Sequence, residues 1–132
     1  MGKVIEKTPD KEKAKSLKKM SDEILRRVDD TDREKFATQV VEDYYDVIHN
    51  LLEAIAISMG KKVKGRGAHA QLISLICDEF GIEESREEFM QSMRKYRNRI
   101  SYEGFFIDDN YLERNEEKIR EIIKELKRIL DV

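Results

Sequence analysis

Apolar residues recur along this chain every three or four positions, with charged residues filling the intervals. That spacing puts the apolar side chains on one face of an α-helix. Thr8 and Pro9 read as a cap followed by the favoured first-turn proline. The stripe Ala14, Leu17, Met20, Ile24 and Val28 then predicts a first helix that buries a narrow seam. Thr31 and Glu34 have capping-box spacing and predict the start of a second helix. Phe36, Val40, Tyr44, Val47, Leu51 and Ile55 mark one face of it, and Val41, Tyr45, Ile48 and Leu52 widen that face to nearly half the circumference. So broad a face calls for more than one neighbour. Gly60 is the natural stop, giving about 28 residues, or roughly 42 Å.

"KKVKGRG", Lys61 to Gly67, reads as a basic connector. A third helix is expected from Ala68 to Phe80, with Leu72, Ile73, Leu75 and Ile76 inward and Gly81 as its stop. Ser85 and Glu88 form another capping-box pattern for a fourth helix, which carries Phe89, Met93, Tyr96 and Ile100 and ends at Gly104. "FFIDDN" is a connector in which Asp109 or Asn110 caps a last helix striped by Ile119, Ile122, Ile123, Leu126, Ile129 and Leu130. The expected fold is all-α: one domain over 1–132, an up-and-down bundle of about five helices with the long second helix at its centre.

Composition narrows the function classes. Charged residues are 41% of the chain, yet the net charge is only -2. A protein that coats nucleic acid through global positive charge is therefore excluded, and any anion site must be local. Cys77 is the single cysteine and sits among apolar neighbours, which reads as a buried, inert thiol. No apolar run approaches the ~18 residues of a membrane span, and no signal-peptide pattern opens the chain. A cytoplasmic protein without a membrane partner is expected. No Cys/His spacing suggests a metal, no P-loop is present, and no cofactor is expected.

One stretch departs from the alternating charge. "RKYRNRISYEG", Arg94 to Gly104, is locally all positive until Glu103. On a helix, Phe89, Met93, Tyr96 and Ile100 share one face, while Arg94, Arg97, Asn98, Ser101 and Tyr102 share the opposite one. Core packing explains the first set only. Two arginines a turn apart repel unless an anion or nearby carboxylates neutralise them. The planar guanidinium fork suits a phosphate, and the amide and hydroxyls add hydrogen-bonding groups. A favourable interaction of basic residues with the helix C-terminus is the plainer explanation.

"RNRISY", late in an all-helical chain of this length, resembles the HEPN domain family (higher eukaryotes and prokaryotes nucleotide-binding). The long second helix, "GAHAQLISLI" and "YRNRISYEG" fit the same resemblance. It implies a homodimer whose paired R-N-x-x-x-H elements line a shared cleft. It also implies either a metal-independent ribonuclease or a partner of a small nucleotidyltransferase in a toxin–antitoxin pair. Carried over, Arg97 matches the motif arginine and Asn98 the polar residue after it, while Tyr102 stands where the family has histidine. Histidine titrates near neutrality and suits proton transfer, whereas a free phenol titrates at about 10 and is a poor base.

The candidate catalytic pair is thus Arg97 and Tyr102, and the candidate nucleotide- or RNA-binding set is Arg94, Arg97, Asn98, Ser101 and His69. His69 joins it because it follows the basic "KGRG" connector; otherwise it and His49 read as surface or capping histidines. Two functions stay open beside a purely structural bundle. One is binding of RNA or nucleotide at a dimer cleft, extending to ribonuclease activity. The other is a non-catalytic module that partners a nucleotidyltransferase, with Tyr102 as the contact or modification point.

Overall fold

A computed structural model describes residues 2–131. The element order is β1 (Lys3–Glu6), α1 (Lys11–Asp29), α2 (Ala37–Ser58), β2 (Lys61–Lys64), α3 (Ala68–Phe80), α4 (Glu84–Glu103) and α5 (Asp109–Leu130). The fold is therefore helical, with five helices and one small antiparallel ribbon of β1 and β2. No helix among the described residues is long and apolar enough to cross a membrane.

α2 is the central element and packs against each of the other four helices, most extensively α1. Its Val40, Val47, Ile48, Leu51 and Leu52 are completely buried. From Val40 onward the broad apolar face is thus covered by helices of the same chain.

Several element boundaries differ from expectation. α2 begins at Ala37 and has 22 residues, because the Thr31–Glu34 capping box does not form. The Thr31 hydroxyl donates instead to the carbonyl of Arg27, closing α1, and Asp32 accepts from the amides of Glu34 and Lys35 to make a separate turn. Phe36 consequently lies outside the helix and is half exposed. α1 is capped by Asp10 rather than Thr8, its carboxylate accepting from the amide of Lys13. α4 starts at Glu84 with no side-chain cap, and Asp108 caps α5 by accepting from the amide of Asn110.

Within α1, Met20 is half exposed and Ser21 takes the buried position. The small serine side chain donates to the carbonyl of Val47, 3.4 Å away. On α3 the bounds match expectation, Leu75 is half-buried, and Gly81 closes the helix at φ 63°, in the left-handed region that favours glycine.

The ribbon was not anticipated. The "KKVKGRG" connector contains β2, which pairs Val63 with Val4 and Lys61 with Glu6. Gly60 makes the turn into β2 at φ 76°. Its carbonyl accepts from the amide of Lys7 at 2.7 Å, and a Cβ there would lie 2.5 Å from the carbonyl oxygen of Lys7. Chain crossing at this distance admits only glycine.

Candidate functional site

The C-terminal half of α4 places the basic stretch Arg94–Gly104 against α2. Met90 and Met93 are buried, and Phe89, Tyr96 and Ile100 pack partly buried onto the core. Gly104 ends the helix at φ 66°, its amide donating to the carbonyl of Arg99. Beyond it, Phe105 stacks on Tyr96 with ring centroids 6.2 Å apart, and Tyr96 meets Tyr111 edge-on at 5.3 Å. The amide of Ile107 donates to the buried hydroxyl of Thr38 on α2. These contacts fix the end of α4 and the connector after it.

The opposite face of α4 is where the sequence placed the site. Arg97 lies 3.1 Å from Glu42 and 3.7 Å from Asp46, both on α2, and also donates to Ser101. Burial raises the carboxyl of Asp46, and the charge of Arg97 partly offsets that rise. Arg94 donates to Gln91, which in turn donates to the carbonyl of Ala70 at the start of α3. Asn98, Ser101 and Tyr102 are exposed, Tyr102 to 85%. Phe106 follows at 79%, and Arg99 sits 3.9 Å over the ring of Phe105. Arg97, Ser101 and the α2 carboxylates are thus brought together, while Tyr102 projects into solvent.

His69 lies elsewhere, against the other histidine of the chain. The rings of His49 and His69 are 4.2 Å apart, and His49 lies 3.4 Å from Glu53. Burial lowers the titration point of His49, the neighbouring His69 lowers it further, and Glu53 opposes both. His49 also stacks on Tyr45 at 6.2 Å. The Tyr45 hydroxyl is buried with no hydrogen-bond partner among the described residues. Burial pushes its pKa up to about 12, against the nearby charge of Arg94. No three of His, Cys, Asp and Glu converge as a metal cage among the described residues.

Glu42 and Asp46, which hold Arg97, were not singled out from the sequence, nor was the pairing of His49 with His69. One pattern contained both. Glu42, Asp46, His49 and Glu53 step by fours and threes along α2, a polar stripe beside the broad apolar face. One helix edge therefore serves two stations, the arginine of α4 and the histidine at the start of α3.

No family model, no curated protein and no solved structure matches this chain.

Proposed function

We propose that this chain is a HEPN-like helical protein that binds RNA or nucleotide, working in the cytoplasm as a symmetric homodimer. The C-terminal ends of two α4 helices would line its cleft. The observation that supports the reading is the exposure of Tyr102 and Phe106, 85% and 79%, at the end of the basic stretch that carries Arg97 and Arg99. Unstacked bases stack on exposed aromatic rings, and neighbouring arginines neutralise the phosphates. Arg97 binds by exchanging its carboxylate partners for a phosphate, and Arg94, Asn98 and Ser101 complete the polar rim. A base acting at position 102 has no support in the arrangement, since both histidines face each other at the other station. The reading is therefore one of binding.

The test combines light scattering with anisotropy of a labelled single-stranded RNA. A dimer whose RNA affinity drops in Tyr102→Ala and Phe106→Ala is the expected result. A monomer that binds RNA no less tightly after both changes would overturn it.

A second reading rests on the same exposed phenol. A nucleotidyltransferase partner could reach the Tyr102 oxygen, which would attack the α-phosphate of a nucleoside triphosphate, lose its proton to the transferase's base and release pyrophosphate. Mass spectrometry after incubation with such an enzyme, using Tyr102→Phe as control, separates the two readings.

A further inference from the structure

α1, α2, β2 and α3 enclose a cavity of about 350 Å³ on the far side of His49 from Tyr45 and Arg97's partners along α2. Ligand pockets occupy roughly 300–1,000 Å³ and combine an apolar wall with a few convergent polar groups. Here Leu17, Ile57, Val63 and Leu72 form the apolar wall, and His49 and His69 lie side by side on another. Lys13 reaches it from α1, and Lys61, Lys62 and Lys64 come from β2.

The charge around this cavity is not balanced among the described residues. Among the described residues the lysine ion pairs are Lys15 with Glu12, Lys61 with Glu6 and Lys127 with Asp22. Lys13, Lys62 and Lys64 have no such partner. The register of the ribbon also sets Lys64 directly opposite Lys3, an arrangement of like charges that is unfavourable in a sheet unless something neutralises it. Glu53 is the only carboxylate on the lining, and His49 already faces it. The first turn of α3 opens onto the same space without a side-chain cap, so its amide dipoles add to the positive field.

We propose that this cavity binds a small phosphorylated molecule with an apolar or aromatic body, the phosphate meeting His69 and the lysines and the body lying against Leu17, Ile57, Val63 and Leu72. The site is distinct from the α4 surface and does not depend on the function proposed for that surface. His69 is exposed and has a free edge for donation, whereas His49 is held by Glu53. Burial and the neighbouring His69 lower the titration point of His49, and an incoming anion opposes both. The groups facing the two rings are Lys13 from α1, Glu53 from α2 and Lys61, Lys62 and Lys64 from β2. All but Glu53 are cationic, and an incoming oxyanion offsets their charge. Binding should therefore take up a proton and tighten as pH falls.

The chain has two histidines, so their imidazole signals can be followed individually by NMR of the intact protein. Phenyl phosphate should move both along one saturable curve, and benzyl alcohol, which lacks the anion, should not. His69→Gln should weaken binding by about tenfold or more, as loss of a charge-assisted hydrogen bond implies. Lys13→Gln should weaken it less, and Lys124→Gln, on the exposed side of α5, should leave it unchanged. With phenyl sulfate, whose charge is constant, affinity should fall between about pH 6 and about pH 8, by up to about tenfold per unit for one proton taken up. Three results would overturn the proposal. One is the absence of saturable shifts. Another is equal binding by wild type and His69→Gln. The third is saturation of both imidazoles by zinc alone with no response to phenyl phosphate.

Discussion

The guanidinium of Arg97 on α4 lies 3.1 Å from the carboxylate of Glu42 on α2. The arginine of the candidate motif is thus already neutralised, by Glu42 and more loosely by Asp46. Its side chain is about one-third exposed, and ion pairs in such positions contribute little. Arg97→Ala should therefore lower stability by at most about 1 kcal/mol in urea melts, while weakening binding of single-stranded RNA. Glu42→Gln separates the two roles. It frees the guanidinium, and RNA should bind more tightly. If Glu42→Gln binds no better than wild type, phosphate and carboxylate are not competing for Arg97.

Tyr102 is 85% exposed, and the two histidines of the chain stand against each other. Metal-free cleavage of RNA by the wild type should accordingly be weak or absent. Tyr102→His restores a group that titrates near neutrality and should raise it. A gel assay of wild type, Tyr102→His and Tyr102→Phe decides the matter. Strong cleavage by the wild type that disappears in Tyr102→Phe would reverse this expectation.

Tyr44 donates to Glu116, which also accepts from Arg33, and Arg120 bridges from the Tyr44 oxygen to Asp29. Burial by itself would raise the carboxyl of Glu116, but the hydrogen bonds from Arg33 and Tyr44 outweigh it and hold the group below its ordinary 4.5. A carboxyl lowered on folding contributes stability above its unfolded value, and that contribution is lost as pH falls through the folded value. Wild-type stability should thus decline with acid below about pH 4.5, and Glu116→Gln should show a shallower decline from a lower starting point. Parallel acid limbs in the two proteins would remove Glu116 from the network's pH response.

Gly60 is predicted to be intolerant of any side chain. An added Cβ would sit 2.5 Å from the Lys7 carbonyl, and the residue would also keep a positive φ. Gly60→Ala should cost at least about 1–3 kcal/mol, whereas Gly65→Ala, which has open space, pays only for its φ of 93°. Thermal unfolding of the two variants side by side checks the ranking.

Cys77 is buried, and burial together with Glu87, Asp78 and Glu125 pushes its thiol up to about 12. The thiolate is the reactive species. A disulfide reagent at neutral pH should leave the native protein unmodified and label one thiol per chain once denaturant is added. Rapid labelling of the native state would mean that α3 opens readily.

Much of this molecule was determined by local sequence. The bounds of α3, the glycine stops at Gly81 and Gly104, and the buried stripe of Ile119, Ile122, Ile123 and Leu126 on α5 all follow from helical period and from backbone conformations that favour glycine. These properties depend on residues within a turn or two of each other. The surplus of cations over the Arg94–Tyr102 face was equally legible. Which carboxylates answer it was not, because Glu42 and Asp46 lie some fifty residues away and reach Arg97 only through the packing of α4 on α2. Three further features have the same cause. Val4 pairs with Val63 to make a ribbon, Ser21 displaces Met20 from the α1 seam, and His49 meets His69 over a basic cavity. Each depends on a contact between distant segments, and a periodic pattern along one segment says which side faces inward but not what it will meet there.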